Sequence, residues 1–208
     1  IVIAPQPLAQ ANLIDRYLVA AGHAGIETSL VLNKADLLSE EPSARQLAEI
    51  YRELGIEVLT TDRFSDPAAE ALLSMVATQT VALVGQSGVG KSSLIQRLLP
   101  DLEIRIGALS DAVGLGRHTT TAAALYHLPG GGRLIDSPGV REFHLSHLSK
   151  DAVAAGFAEF EPLLGLCRFR DCSHSHEVRC AILEAHDRGE ISAERLASYR
   201  QIVSSMGQ

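Results

Sequence analysis

The sequence predicts an α/β domain built on a parallel sheet, followed by a small helical domain. Strand-like apolar segments alternate with segments of helical periodicity over residues 1–136, as in βα units. One strand-like segment, residues 79–84, runs directly into a glycine-rich loop that opens a helix. The strand signals stop after about residue 148, where Cys and His residues accumulate. We therefore expect two domains, 1–148 and 149–208.

The individual elements follow from local patterns. Apolar runs predict strands at 1–4, 26–32, 56–60 and 79–84, and helical spacing predicts helices at 8–21, 41–54 and 67–77. Pro42 near the first turn and Gly55 just past the end mark the limits of the second helix. The triple glycine at 130–132 predicts a hairpin between strands at 122–128 and 132–136.

The composition excludes several classes of protein. Hydrophobic residues make up 46% of the 208 residues and charged residues 21%, which is typical of a globular chain rather than a disordered one. The formal net charge of −7 argues against a generally basic surface for nucleic acid. No apolar run approaches the ~20 residues of a membrane span, and residues 1–10 lack the pattern of a signal peptide. We expect a cytoplasmic protein, with further residues ahead of the strand that begins at Ile1.

A phosphate-binding loop is the strongest motif. It matches G-x-x-x-x-G-K-S, and its glycines let backbone N–H groups wrap phosphates at the positive end of a helix. The lysine would reach the outer phosphates, and the serine hydroxyl after it would ligate Mg²⁺. The alternative is an ordinary glycine turn with a chance lysine, which the strand before it and the helix after it disfavour. The candidate residues are Gly85, Gln86, Ser87, Gly88, Val89, Gly90, Lys91, Ser92 and the adjacent Ser93.

A base-reading motif lies upstream of this loop. Asn33, Lys34, Ala35 and Asp36 follow an apolar strand and match N-K-x-D. The Asp36 carboxylate can accept hydrogen bonds from the N1–H and the 2-amino group of guanine, a pair that adenine does not offer. Taken alone, four matching residues would fit a solvated turn better than a base-reading motif. Together with a phosphate loop they predict selectivity for GTP.

Asp136, Ser137, Pro138 and Gly139 end a predicted strand and match D-x-x-G, in which the aspartate serves Mg²⁺ through water and the glycine N–H senses the terminal phosphate. The alternative is a Pro-Gly turn. Ordinary GTPases place the phosphate loop first and N-K-x-D last, whereas N-K-x-D comes first here. The motif order is therefore circularly permuted, and the switch segments lead directly into the C-terminal domain.

A switch segment is expected at residues 116–121, where Thr119, Thr120 or Thr121 could close over the terminal phosphate and complete the Mg²⁺ shell; Thr119 and Thr120 are our candidates. Val140 stands where many GTPases carry the glutamine that orients the attacking water. His118 is our catalytic candidate, since imidazole can orient water or accept its proton. The alternative is that His118 only packs the loop or touches a phosphate.

Three cysteines and a histidine predict a structural metal site. Cys167, Cys172 and Cys180 supply thiolates, and either His174 or His176 supplies an imidazole. Four nitrogen and sulfur ligands with no open position are typical of structural zinc. The alternative is a set of buried free cysteines. We expect the helical segment at 180–204 to pack on this site, and zinc to stabilise a domain with few apolar residues.

The sequence resembles the circularly permuted GTPase family that acts in maturation of the small ribosomal subunit. The matching segments are NKADLL at 33–38, GQSGVGKSSL at 85–94, GRHTTT at 116–121, DSPGVREF at 136–143 and FRDCSH at 169–174. The resemblance favours His174 over His176 as the metal ligand. It also implies an N-terminal oligonucleotide-binding β-barrel ahead of the GTPase domain, which is absent from this chain. Thr60, Thr61 and Asp62 replace the Ser-Ala element with which GTPases often contact the base.

We expect a GTP hydrolase that acts as a molecular switch in late small-subunit maturation. The expected cofactors are one structural Zn²⁺ per chain and Mg²⁺ with GTP or GDP. The expected partner is the small ribosomal subunit with its rRNA, bound by a monomer without membrane contact. The alternative is a GTP-dependent binding module with negligible hydrolysis. An ATP-using phosphotransferase is disfavoured by the N-K-x-D motif.

Overall fold

The computed structural model describes residues 1–62, 66–100, 123–137 and 143–206 and has an α/β fold. Its strands are β1 (Val2–Ile3), β2 (Leu30–Leu32), β3 (Val58–Thr60), β4 (Thr80–Leu83), β5 (Ala124–His127) and β6 (Arg133–Asp136). Its helices are α1 (Ala11–His23), α2 (Ser43–Glu53), α3 (Asp66–Val76), α4 (Lys91–Leu98), α5 (Lys150–Ala155), α6 (Ala181–Asp187) and α7 (Ala193–Ser205). The chain forms two compact units, one of residues 1–9 and 29–141 and the other of residues 10–28 and 142–208.

The strands of the first unit form two three-stranded sheets. One sheet is parallel in the order β1-β2-β3, with Val31 of β2 aligned to Val2 and Leu59. The other has the order β4-β6-β5, in which β4 and β6 are parallel and β5 and β6 form the antiparallel hairpin predicted around the triple glycine. The Val2 amide donates a hydrogen bond of 2.7 Å to the Val84 carbonyl, which connects β1 to the residue after β4.

The core of the first unit is aliphatic, as expected from a chain without Trp. Side chains of β1, β2, α3, β4, α4 and β6 contribute to it. Leu72, Ile95 and Leu134 are among its fully buried members. This packing fixes α3 and α4 beside the strands, so that the loop between β4 and α4 is held at both ends.

The second unit is helical, and its core is centred on α7. The Phe157 and Phe160 rings stack with their centroids 5.0 Å apart, and the Tyr199 ring meets both edge to face, at 5.6 Å and 5.2 Å. Helix α1 packs within this unit: the buried Asp15 carboxylate pairs with Arg195 of α7, and Arg195 also donates two hydrogen bonds to Glu159. Burying a guanidinium is costly unless its N–H groups are hydrogen-bonded and its charge is paired. The two carboxylates meet both needs for Arg195.

The predicted elements and the observed ones differ mainly at their ends. The helix expected at 8–21 begins at Ala11 because Leu8 forms an isolated β-bridge with Ala4, which keeps this stretch extended. The strand expected at 26–32 is limited to Leu30–Leu32. The expected domain division at 148/149 stays a prediction, and the grouping by packing places α1 with the C-terminal unit.

Candidate functional site

The glycine loop between β4 and α4 follows a path that only glycine permits at two places. A Cβ added at Gly85, where φ is +147°, would lie 2.3 Å from the Val2 carbonyl oxygen. A Cβ added at Gly90, where φ is +98°, would lie 2.3 Å from Asn33 Nδ2. Both distances are far below van der Waals contact. The two glycines therefore allow the loop to approach β1 and the N-K-x-D segment closely.

The Lys91 side chain is held by this loop. It is 8% exposed, and its Nζ donates hydrogen bonds to the carbonyl oxygens of Gly85, at 2.8 Å, and Gln86, at 3.2 Å. Burial lowers the pKa of Lys91, and the nearby Asp136 carboxylate opposes that shift. A phosphate entering the loop would offer this ammonium a stronger, charge-assisted partner than two carbonyls.

The N-K-x-D segment is hydrogen-bonded to the same loop. The Asn33 side-chain amide donates to the Val89 carbonyl at 2.9 Å, and its Oδ1 accepts from the Thr61 hydroxyl at 3.0 Å. Lys34, in the left-handed region at φ +58°, donates from Nζ to the carbonyl oxygens of Gly88, at 2.6 Å, and Gln6, at 2.7 Å. A left-handed residue other than glycine costs roughly 1 kcal/mol or more, so the contacts of Lys34 must hold it there.

A cavity of 330 Å³ lies where the two motifs meet. It combines apolar surface from Leu37 and Leu94 with polar and charged groups, which is the usual lining of a small-molecule site. The backbone here is fixed, because Ala35 begins a 3₁₀ turn and its N–H donates to the Thr61 carbonyl at 3.0 Å. The cavity is lined by Asn33, Lys34, Asp36, Leu37, Asp62, Gly90, Ser93, Leu94 and Arg97.

Asp136 lies at the end of β6, in register with Leu83 at the end of β4. Asp136 is 4% exposed, and its Oδ1 is buried without a hydrogen-bond partner among the described residues. Burial raises the pKa of Asp136, while the Lys91 ammonium opposes this. Ser92 is half-buried in the first turn of α4. A buried carboxylate oxygen close to the phosphate loop fits the oxygen chemistry that Mg²⁺ requires.

The remaining switch candidates fall in parts of the chain that the structure does not describe. His118, Thr119 and Thr120 lie outside the described residues, and so does Gly139. Their roles stay predictions.

Cys167, Cys172, His174 and Cys180 come together in the second unit, and their candidate ligand atoms all lie within 4.8 Å of one another. The Cys167 and Cys180 sulfurs are 3.8 Å apart, and His174 Nδ1 is 3.5 Å from one and 3.4 Å from the other. Tetrahedral zinc would place two sulfurs about 3.8 Å apart, and sulfur and nitrogen about 3.6 Å apart. The donor set therefore fits one metal ion.

The protonation chemistry of this cluster also fits a cation. Burial raises the pKa of Cys172 to about 12, so this thiol would remain protonated without a positive charge beside it. His174 is 7% exposed, whereas its sequence rival His176 is exposed and outside the group. The three cysteines are free rather than disulfide-bonded.

Glu177 organises the loop that carries His174. Its Oε1 accepts from the Ser173 amide at 2.7 Å and the Ser173 hydroxyl at 2.5 Å, and its Oε2 accepts from the amides of Ser175 and His176. Burial alone would raise the pKa of Glu177, but these hydrogen bonds lower it well below its ordinary value. The fixed loop keeps His174 at φ +56°, a left-handed conformation that is otherwise unfavourable.

Sequence reasoning missed Glu177, the contact of Gln6 with Lys34 and the hydrogen bond of Thr61 to Asn33. The position of Thr61 could have indicated this contact. Thr61 follows β3, the parallel neighbour of β2, so the ends of both strands reach the same edge of the sheet. Glu177 stands between two expected ligands, but its sequence position alone does not distinguish it from a solvated acid.

A phosphate loop clasped by an N-K-x-D segment that precedes it in the chain defines a P-loop GTPase fold with circularly permuted motifs. The profile of the family described as RsgA GTPase matches residues 1–146, and the chain belongs to that family. Relatives named small ribosomal subunit biogenesis GTPase RsgA share 54% identity in Ectopseudomonas mendocina and 53% in Pseudomonas fluorescens, over 99% of this chain.

Solved structures show the same fold. YjeQ from Thermotoga maritima superposes with a TM-score of 0.76 at 30% identity, over 99% of this chain and 70% of that one. YloQ, described as a circularly permuted GTPase, superposes with a TM-score of 0.73 at 26% identity, over 100% of this chain and 67% of that one. The chain spans 61% of the length of the two curated relatives. Among the described residues, no helix has both the length and the apolar character that crossing a membrane demands.

Proposed function

We propose that this chain binds and hydrolyses GTP as the nucleotide switch of a small-subunit maturation factor. The proposal rests on two hydrogen bonds between the motifs. Asn33 donates to the Val89 carbonyl, and Lys34 donates to the Gly88 carbonyl. These hydrogen bonds bring the N-K-x-D segment and the glycine loop to one cavity, which supports a role of the first in base reading and of the second in phosphate binding. A nucleotide is the ligand that needs both.

Guanine selectivity would rest on Asp36, which lines that cavity. Its carboxylate would accept two hydrogen bonds from the guanine N1–H and 2-amino groups. Adenine would leave the same oxygens without donors, at a cost of about 1–3 kcal/mol or more for a charged group. Ser93 lines the same cavity, and Ala35 precedes Asp36 in the chain, so both would help to shape the site around the base.

The phosphates would be bound by the backbone N–H groups of residues 85–91, by the Lys91 ammonium and by the N-terminal end of α4. Ser92 and Asp136 would hold the Mg²⁺ that accompanies the nucleotide, Asp136 through water. When bound, this ion would neutralise charge on the transferred phosphoryl group. The partnerless Asp136 oxygen supports this assignment among the described residues.

Hydrolysis would add a water oxygen to the terminal phosphorus as the bond to the GDP oxygen breaks, giving GDP and inorganic phosphate. His118 is proposed to orient that water or accept its proton. Thr119 or Thr120 would close over the terminal phosphate, and the Gly139 N–H would bind one of its oxygens. Lys91 would stabilise the charge that develops on the phosphoryl oxygens.

Residues 149–208 would form a structural domain around one zinc ion held by Cys167, Cys172, His174 and Cys180. The near-tetrahedral sulfur and nitrogen separations support zinc, and a closed set of four ligands supports a structural role. Residues 1–148 would then be the GTPase domain. The two would be linked directly by the segment that follows Gly139.

The proposed partner is the small ribosomal subunit with its rRNA, which the names of the curated relatives support. The protein would act in the cytoplasm as a monomer. Because the chain spans only part of those relatives, its affinity for the subunit would be measured with a protein of their full length that contains this chain.

The experiment is GTP turnover with and without purified small subunits, with ATP as competitor. We expect slow turnover alone, faster turnover with subunits, and no inhibition by excess ATP. Nucleotide-dependent subunit binding without turnover would instead support the binding module. Inhibition by ATP as strong as by GDP would contradict the guanine assignment.

A further inference from the structure

Arg97 of α4 is a cationic side chain that lines the nucleotide cavity and that the proposed function leaves without a role. It is half-buried, and it lines the cavity together with Ser93, Leu94 and Asp36. It lies six residues after Lys91, which is about 9 Å along the helix at ~1.5 Å per residue. Because Ser93 and Leu94 precede Arg97 by four and three residues, the three share one face of α4. This face leads from the phosphate loop to Arg97.

The Arg97 guanidinium is held at the cavity by a hydrogen bond. Its Nη1 donates to the carbonyl oxygen of Asp62, a residue that follows β3 and lines the same cavity. The segment around Asp62 is itself fixed, because the carbonyl oxygen of Thr61 accepts from the Ala35 amide at 3.0 Å. A guanidinium has five N–H donors in a planar fork, so it can bind the Asp62 carbonyl and a ligand atom together.

Side chains of both charges line this cavity. The acidic ones are Asp36 and Asp62, and the basic ones are Lys34 and Arg97. Lys34 donates from Nζ to two backbone carbonyl oxygens, one of them in the glycine loop. Arg97 reaches the opposite segment, the one after β3. A carboxylate and a guanidinium in one cavity can bind a planar ligand that carries donors and an acceptor on the same edge.

Guanine has such an edge. Its N1–H and 2-amino groups donate, and in the proposed function the Asp36 carboxylate accepts from both. Its O6 accepts, and arginine is the side chain that most often binds this atom in specific complexes with nucleic acid. Adenine carries an amino group in place of O6, so it would present a donor to the Arg97 donors. Arg97 would therefore select against adenine from a second position.

We propose that Arg97 is a specificity-determining residue that donates a hydrogen bond to O6 of the guanine base. The Asp62 carbonyl positions the guanidinium for this contact. The inference rests on the proposed function and deepens it by assigning a second side chain to base selection.

The test compares GDP with 6-thio-GDP, which keeps both donors of the base and replaces O6 by sulfur, a weaker acceptor. In the wild type, we expect 6-thio-GDP to bind at least about fivefold more weakly than GDP. Arg97→Met removes the donors, so GDP binding should weaken at least about fivefold, and the difference between the two ligands should shrink to less than about twofold. If Arg97 only held the Asp62 segment in place, both ligands would lose affinity by the same factor. An unchanged ratio of the two dissociation constants would therefore overturn the inference.

IDP tests whether Arg97 acts through Asp36 instead, because it lacks the 2-amino group and keeps O6. Arg97→Met should weaken the binding of IDP and GDP by the same factor, to within about twofold. A loss confined to GDP would place the effect at the 2-amino group and would also overturn the inference.

Arg45→Met is the matched control, because Arg45 is exposed on α2 and lies outside the cavity lining. It removes the same charge and should leave all three affinities unchanged. If Arg97→Met does not fold, Arg97→Lys decides by the same ratio. Lysine lacks the planar fork that would hold the Asp62 carbonyl and O6 together, so the ratio of 6-thio-GDP to GDP should fall at least about twofold. A wild-type ratio in Arg97→Lys would then contradict the role of Arg97.

The wild type separates this inference from the proposed function. A wild type that binds GDP far more tightly than ADP, with a ratio that Arg97→Met leaves unchanged, contradicts only the role of Arg97. A wild type that binds neither GDP nor GTP contradicts the proposed function itself.

Discussion

Asn33 Nδ2 donates a hydrogen bond to the Val89 carbonyl oxygen across 2.9 Å, within the buried part of the first unit. The two residues belong to different motifs and lie 56 positions apart in the sequence. Their contact joins the glycine loop and the N-K-x-D segment into one structural element. A change that breaks it should therefore impair nucleotide binding without removing any group that touches the nucleotide.

Gly90→Ala should break this contact. The new Cβ would lie 2.3 Å from Asn33 Nδ2, which would have to give up its bond to Val89. We expect GTP affinity to fall by at least about tenfold, since a buried amide would lose its partner. Gly131→Ala is the control, because Gly131 also has a positive φ, of +90°, but has nothing within 4 Å. Calorimetric titration with a non-hydrolysable GTP analogue would show equal losses in both variants if the contact were unimportant.

Asp36→Asn should weaken GTP binding by about 2 kcal/mol or more, because it removes a charged acceptor from the guanine donors. Glu40→Gln, at an exposed position close in sequence, neutralises the same charge and should leave the affinity unchanged. Competition of GDP and ADP for a fluorescent nucleotide measures the effect. An Asp36→Asn protein with wild-type GTP affinity would refute the proposal that Asp36 binds the guanine base.

The purified chain should carry about one zinc ion, and a chelator should selectively destabilise the second unit. Four ligands that must be deprotonated make the affinity depend on pH: metal binding releases protons, so the affinity falls as the pH is lowered. Burial raises the pKa of Cys172, which makes proton competition stronger there. Elemental analysis and thermal unfolding with and without chelator provide the check. Absence of metal, or a disulfide among the three cysteines, would contradict this prediction.

Glu177→Gln should lower zinc affinity by about 10–100-fold without altering a ligand. The carboxylate accepts hydrogen bonds from the amides around His174, and supporting groups of this kind typically have effects of that size. Glu161→Gln, exposed in the same unit, is the control. Competition with a colorimetric chelator at fixed pH gives both affinities. Equal zinc affinities for the two variants would show that Glu177 does not support the site.

Much of the first unit could be predicted because its signals are local. The strand, glycine loop and helix around Lys91 follow from residue types at fixed spacing, and the triple glycine indicated the β5–β6 hairpin. The pairing of N-K-x-D with the phosphate loop could be inferred from motif knowledge. The hydrogen bonds of Thr61 and Gln6 could not, because a single hydroxyl or carbonyl leaves no periodic pattern.

The packing of α1 was not predictable for a different reason. Helical periodicity shows that one face is apolar, but not which core it faces. Arg16 and Asp15 are buried on this helix, and their partners Ser205, Phe143 and Arg195 lie far away in sequence. Such pairs are visible only when the chain is folded.

The most direct measurement of the proposed switch is the affinity of small ribosomal subunits for the protein loaded with a GTP analogue and with GDP. It calls for a protein of the relatives' full length that contains this chain. We expect the GTP-analogue form to bind at least about fivefold more tightly, and subunits to tighten binding of the analogue by the same factor, because coupling between two sites is reciprocal. Equal affinities of the two forms for the subunit would contradict the switch.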